Sequence, residues 1–105
     1  MEVIDHQPQT WFLLRDGGEY YLSVRCQQSF ADFSILVRFS PAERDAYQTS
    51  GHAYADTLAT AISGDPRGHR GRDLENELGS RVTQSVIAWR TKNEGDPGVQ
   101  DAGQT

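Results

Sequence analysis

Hydrophobic and polar residues alternate in three successive runs between residues 11 and 39. The first run, residues 11–15, ends at Asp16, Gly17 and Gly18, where glycine supplies the positive φ that a tight hairpin turn requires. The second run, residues 19–27, alternates most regularly, and the third begins at Phe33 after a polar connection. A period of two residues is typical of strands that bury one face, so we predict a three-stranded antiparallel β-meander.

Helical signals begin directly after the third run. Ser40, Pro41 and Glu43 have the order of a capping box, with the serine at the N-cap and the glutamate three residues later. Apolar residues and one glycine then follow at helical spacing: Tyr47, Gly51, Tyr54, Leu58, Ala61 and Ile62. Gly64 and Pro66 supply a stop. Because Thr49, Ser50 and Gly51 are poor residues for a helix interior, this long helix is predicted to kink or to break there.

The segment after residue 73 has two interpretations. A helix is predicted, with Asp73 at its N-cap, because apolar residues recur at steps of three or four: Leu74, Leu78, Val82, Val86 and Trp89. Acidic residues near its start and basic residues near its end would suit the helix dipole. A fourth strand over residues 81–90 is the alternative, since valine, threonine, isoleucine and tryptophan favour strands and Gly79 weakens a helix.

These elements predict an α+β fold, in which the meander is followed by a long or broken helix and a second amphipathic helix. The chain has 105 residues, which fits one domain with a single core, because two cores of about 50 residues each would be marginal. We assign residues 1–92 to this domain. Residues 93–105, NEGDPGVQDAGQT, contain almost no apolar side chains and are predicted to be a disordered tail.

The formal net charge of −5 limits the possible partners. An acidic surface repels nucleic acid and anionic membranes, so a protein with a basic or neutral polar surface is the more compatible partner. Cys26 is the only cysteine, which excludes an internal disulfide. The first residues lack the pattern of a signal peptide, and no stretch approaches the ~20 apolar residues of a membrane span. We therefore expect a cytoplasmic protein.

One face of the predicted sheet packs under the helices, and the opposite face combines polar residues with an apolar patch. Cross-strand pairing gathers four apolar side chains on that outer face: Phe12, Leu14, Tyr21 and Leu36. Val3 and Ile4 of the N-terminal segment could fold across this patch. Alternatively, the patch is an interface with a second copy or with another protein, since contiguous exposed apolar patches are uncommon on monomers. A homodimer through this face is the prediction.

The sequence GDPRGHRGRD, residues 64–73, concentrates basic side chains in an otherwise acidic chain. Its candidates for contact with an anion or a nucleic acid are Arg67, His69, Arg70 and Arg72. Flanking aspartates reduce the local charge, and no aromatic residue is interleaved for base stacking. The alternative is a surface loop whose arginines pair with nearby acidic residues.

Residues that could support catalysis or metal binding are few. Cys26 lies at an inward strand position, where cysteine usually acts as a small core residue. His52 and Asp56 are four residues apart and could form a base with its orienting carboxylate, but the same spacing occurs in ordinary exposed helix pairs. The three histidines and the single cysteine show no ligand spacing for a metal, and no glycine-rich phosphate-binding motif is present. We predict no catalytic residue, no cofactor and no metal.

The sequence thus favours a small acidic, non-catalytic protein–protein interaction or regulatory domain that self-associates through the outer sheet face. A nucleic-acid-associated regulator that uses the arginine loop is one alternative. A neutraliser of a basic partner, of the immunity-protein or antitoxin kind, is another. An enzyme that uses Cys26, or His52 with Asp56, is the least supported.

Overall fold

Four antiparallel strands form one sheet, and their order in space is their order in the chain. The computed structural model describes residues 1–28 and 31–93, so the predicted tail, apart from Asn93, lies outside the described residues. The strands are β1 (Glu2–Gln7), β2 (Trp11–Asp16), β3 (Glu19–Gln28) and β4 (Ala31–Arg38). The helices are α1 (Pro41–Ser50), α2 (His52–Gly64), α3 (Pro66–His69) and α4 (Glu75–Asn93), with a 3-10 turn at Arg70–Arg72.

The predicted meander is confirmed as strands β2, β3 and β4. Leu13 lies opposite Leu22 and Trp11 opposite Val24, as the alternation requires. Gly17, in the turn between β2 and β3, has a φ of 64°. The sheet has a fourth strand, but it is the N-terminal β1, whereas residues 81–90 lie in helix α4. The sequence EVIDHQ shows no clean alternation, because the register shifts at a bulge between Val3 and Asp5.

The long helix breaks where the sequence predicted a weak point. The Ser40 hydroxyl accepts a hydrogen bond from the Glu43 N–H at 3.2 Å, and the Glu43 carboxylate accepts one from the Ser40 N–H at 2.8 Å, which completes the capping box of α1. At Gly51, φ is 64° and ψ is −139°, a conformation that favours glycine. The break therefore separates α1 from α2 at this residue.

Helices α1 and α2 cover one face of the sheet, which we call the inner face. The strands and helix α2 bury eleven residues there: Trp11, Leu13, Leu22, Val24, Cys26, Ile35, Val37, Phe39, Ala55, Ala59 and Ile62. Small alanines at two α2 positions let that helix lie close to the larger strand side chains. This inner cluster is the core that the alternation predicted.

Helix α4 covers the opposite, outer face. Leu14, Tyr21 and Leu36 are buried there together with Val82 of the helix. The expectation of a single core is therefore wrong, because each face of the sheet has its own apolar cluster. The prediction that Leu14, Tyr21 and Leu36 form an open interface is also wrong: the apolar stripe of α4 covers them, and only Phe12 at the patch margin is partly exposed.

The segment before α4 attaches this helix to the edge of β4. The Asp73 carboxylate Oδ1 accepts hydrogen bonds from the Leu36 N–H at 3.0 Å and from the Glu75 N–H at 2.9 Å. The Leu74 N–H donates to the Leu36 carbonyl at 2.7 Å. Asp73 therefore lies one residue before the N-cap position, and α4 begins at Glu75, because Asp73 is shared between the helix start and the strand edge. In the described part of the chain, no helix has the length and apolar character to cross a bilayer.

Truncating Leu36 should be strongly destabilising if α4 closes the outer face. We expect Leu36→Ala to lower the free energy of unfolding by about 2–5 kcal/mol, because the cavity would be enclosed. Ile87→Ala is the matched control, since Ile87 is 58% exposed on α4 and should change the free energy of unfolding by less than about 0.5 kcal/mol. Urea titrations followed by circular dichroism measure both values, and equal small effects would contradict the covering of this face.

Candidate functional site

The predicted arginine loop does not gather its side chains on one surface. The Arg72 guanidinium binds the Glu43 carboxylate at 2.6 and 2.9 Å and the Arg38 carbonyl at 2.7 Å. His69 Nδ1 lies 2.9 Å from the Asp65 carbonyl. Arg72 therefore connects α1 to the end of β4 and contributes to the stability of the fold.

The two remaining arginines of the loop point to different surroundings. The Arg70 guanidinium lies 5.6 Å from the centre of the Phe33 ring, in a cation–π contact. Arg67, in the short helix α3, is exposed. Side chains that are neighbours in sequence diverge around a tight helical turn, so the four predicted anion contacts are not brought together.

His52 contacts Asp5 rather than Asp56. Its Nδ1 lies 2.9 Å from Asp5 Oδ1, and its Nε2 lies 3.1 Å from Gln7 Oε1. Asp56 instead accepts a hydrogen bond from the Trp11 indole N–H at 3.1 Å. Both His52 nitrogens therefore contact side chains of β1, and the predicted helix-face pair of a base and its carboxylate does not form.

Tyr47 completes this polar contact between β1 and the first two helices. Its hydroxyl donates to Asp5 Oδ2 at 3.0 Å. Burial, together with the hydrogen bond to Asp5, raises the pKa of Tyr47 to about 12. Tyr47 and His52 thus attach β1 to α1 and α2 through Asp5.

Cys26 is fully buried in the inner cluster. Its thiol lies 3.8 Å from the Val24 carbonyl, and burial raises the pKa of the Cys26 thiol, so the reactive thiolate is disfavoured. Within residues 1–28 and 31–93, no three histidine, cysteine, aspartate or glutamate side chains converge in a way that could hold a metal ion.

A groove of about 440 Å³ runs between β1 and the C-terminal half of α4. Met1 and Val3 border it on the strand side, while Ala88 and Trp89 border it on the helix side, with Lys92 near its end. Ser85 lies between the two walls: its hydroxyl oxygen is 3.0 Å from the Met1 carbonyl and 2.8 Å from the Arg81 carbonyl, so its single proton is shared between these two acceptors. The groove thus combines apolar and polar side chains, Glu2 among the latter, with the backbone of an edge strand.

The two edges of the sheet differ in their backbone hydrogen bonds. At β4, the groups of Leu36 pair with Asp73 and Leu74, and the Arg38 carbonyl accepts from Arg72. At β1, no further strand of the described residues pairs on the outer side. The His6 N–H bonds the neighbouring Asp5 side chain at 2.9 Å. An edge strand presents N–H and C=O groups to an incoming chain, so β1 is the edge open to another strand.

Sequence patterns did not identify this groove. The hydrophobic pattern predicts no element in its strand wall, where the adjacent β-branched residues Val3 and Ile4 are the strand signal. The sequence predicts the helix wall, but Ala88 is recognised as a groove residue only from the position of α4 beside β1. The groove is made by contacts between opposite ends of the chain, such as that of Ser85 with Met1, which local patterns do not reveal.

No model of a known protein family matches the chain, and comparisons with curated protein sequences and with solved structures found no significant match.

The buried position of Cys26 predicts a slow reaction with thiol reagents. The native protein should react with a disulfide reagent such as dithionitrobenzoate far more slowly than the urea-unfolded chain, because the thiol is enclosed and its pKa is raised. Absorbance of the released thiolate measures both rates. A native rate equal to the unfolded rate would contradict the burial of Cys26.

The Glu43–Arg72 ion pair predicts a loss of stability in acid. Hydrogen bonding to Arg72 is the main cause that lowers the pKa of Glu43, so the folded state favours the ionised carboxylate. Its contribution is present above the unfolded pKa of about 4.3 and is lost as the pH falls through the lower folded value. We expect Glu43→Gln to make the free energy of unfolding less dependent on pH in this range.

The matched control is Glu19→Gln, because Glu19 is exposed and forms no ion pair with a described residue. Urea titrations at several pH values below 5 distinguish the variants. An identical pH dependence in Glu43→Gln and in the unmodified protein would contradict the assignment of this ion pair.

Proposed function

We propose that this chain is a non-catalytic, cytoplasmic protein-binding domain that takes up an extended segment of another protein along the edge of β1. The observation that carries the proposal is the groove between β1 and α4, which lies beside the open edge of the sheet. Helices pack on both faces of the sheet, and on the β4 edge the backbone groups of Leu36 and Arg38 are occupied by residues that precede α4. The β1 edge is therefore the favoured docking surface.

Strand addition suits the chemistry of this surface. Backbone hydrogen bonds along an added strand provide affinity, and a neighbouring groove accepts every second side chain. Here Met1, Val3 and Trp89 supply the apolar lining for those side chains. The ligand should therefore be an extended segment with apolar residues at alternate positions.

Net charge indicates the kind of partner. A chain with a charge of −5 attracts a basic segment and repels a second copy of itself, which carries the same charge. We therefore favour another protein over a homodimer, and a partner whose extended segment carries lysine or arginine. The neutraliser of a basic partner that the sequence suggested is one case of this proposal.

The two other sequence-based functions have less support. The predicted homodimer used the outer face, which α4 covers, so a second copy would have to use β1 instead. The nucleic-acid alternative loses its cluster, because Arg72 is engaged by Glu43 and Arg70 lies on Phe33. Sedimentation distinguishes the second copy from a foreign strand, and binding of DNA or RNA at low salt would favour the nucleic-acid alternative.

The proposal predicts that selected peptides will bind at the groove. A displayed library of random peptides of about ten residues, the length of a long strand, would be selected on the full chain. Two variants are compared. Ala88→Arg places a large side chain in the groove, and Thr83→Arg introduces the same side chain at an exposed α4 position outside the groove. Circular dichroism checks that both variants fold.

We expect selected peptides to show alternating apolar residues with added basic residues, and to shift the amide resonances of residues 2–7. Ala88→Arg should weaken their binding by at least about tenfold, and Thr83→Arg by less than about twofold. Peptides that bind elsewhere, or that bind Ala88→Arg equally well, would contradict the proposal. A stable dimer by sedimentation, in which residues 2–7 are protected from exchange, would replace the foreign partner with a second copy.

A further inference from the structure

Helix α4 leaves one corner of the outer sheet face uncovered. The helix starts beside β4, where the Leu74 N–H donates to the Leu36 carbonyl. It ends beside β1, where the ring centroids of Trp89 and His6 are 4.6 Å apart. This oblique course exposes the part of β3 and β4 farthest from the helix start. A second pocket, of about 370 Å³, occupies that corner, on the other side of α4 from the groove at β1.

Small side chains create the depth of this pocket. Ser23 lies between Phe12 on β2 and Leu36 on β4, and Ser34 lies opposite Arg25. Two serines at positions flanked by larger residues leave a depression in the sheet surface. Their hydroxyl groups line its floor and can each donate a hydrogen bond.

Two arginines border the same depression. The Arg25 guanidinium lies 3.0 Å from the Asp32 carboxylate, and the Arg90 guanidinium lies 5.6 Å from the centre of the Phe12 ring. None of the described carboxylates forms an ion pair with Arg90. Two cations and one anion give this corner a local charge of +1 in a chain whose net charge is −5.

The stability of the fold does not account for this arrangement. Arg25 and Asp32 are about half exposed, and exposed pairs of this kind contribute about 0–1 kcal/mol. A serine pair beside the apolar cluster of this face adds little apolar packing to it. Hydroxyl donors, guanidinium donors and an aromatic ring around one depression are instead the complement of an anion with a flat apolar part.

We propose that this pocket binds a small, singly charged organic oxyanion, such as a carboxylate or a phosphodiester, that carries a flat apolar group. Arg90 and Arg25 bind the anion, and the Ser23 and Ser34 hydroxyls donate to its oxygen atoms. The His6 ring stacks on Phe12 with 5.8 Å between the ring centroids, so the flat group packs against the part of Phe12 that borders the pocket. The local charge of +1 selects a single negative charge, because Asp32 neutralises one of the two arginines. This site goes beyond the proposed peptide groove and does not depend on it.

Benzoate is a suitable probe, with neutral benzyl alcohol as its uncharged counterpart. At constant ionic strength, we expect benzoate to cause saturable shifts of the amide resonances of residues 23, 25, 34 and 90. A dissociation constant on the order of 1 mM or tighter is expected for a ligand of this size. Benzyl alcohol should bind at least about tenfold more weakly, since it cannot pair with a guanidinium.

The matched variants are Arg90→Gln and Arg67→Gln. Both remove one positive charge from an exposed helical position, but only Arg90 borders the pocket. We expect Arg90→Gln to weaken benzoate binding by about tenfold or more and Arg67→Gln to leave it within about twofold. Equal weakening of benzoate binding by both variants would mean that general charge attraction explains the binding, and it would overturn the proposal.

Two further outcomes would also overturn the proposal: shifts that do not saturate, and shifts that lie outside the pocket. Methyl phenyl phosphate, a phosphodiester that keeps the flat ring, distinguishes a carboxylate preference from binding of any singly charged oxyanion when it is titrated in the same way. The groove variant Ala88→Arg should bind benzoate normally, because Ala88 lies on the other side of α4. Failure of the peptide proposal and failure of this one are therefore separate results.

Discussion

The hydrogen bonds between Asp73, Leu74 and Leu36 determine which surfaces of this protein are available. A single carboxylate oxygen of Asp73 accepts from the Leu36 N–H of β4 and from the Glu75 N–H at the start of α4. These bonds occupy the β4 edge at Leu36 and direct α4 across the outer face. Because α1 and α2 already cover the inner face, the surfaces that remain are the β1 edge and the corner that α4 does not reach. The two proposed sites therefore follow from one arrangement.

The parts of the fold that local physical chemistry determines were predictable from the sequence. Alternation set the β2–β3 register, the capping box set the start of α1, and Gly51 set the break before α2. The apolar stripe of α4 was also visible, but its partner was not, since periodicity identifies a buried helix face without saying which surface covers it. Alternation alone therefore predicts an interface at the outer patch, although its partner Val82 lies 46 to 70 positions later in the same chain.

The candidate sites were less predictable than the fold, because they depend on long-range contacts and on side-chain direction. Neighbouring positions of the arginine loop diverge toward Glu43, Phe33 and solvent. His52 contacts Asp5, far away in the sequence, instead of Asp56 one helical turn away. Conversely, Arg25 and Arg90 are 65 positions apart and border one pocket. Only the course of α4 brings them near each other, and no local pattern encodes that course.

The central claim is that α4 of the same chain closes the outer face of the sheet. Nuclear Overhauser effects between methyl groups test it most directly, in a sample that mixes isotope-labelled and unlabelled chains so that contacts within and between chains are distinguished. The account predicts contacts from Val82 to Leu14 and Leu36 within a single chain. Absence of these contacts, or their appearance only between chains, would contradict it and would return the outer face to the role of an interface.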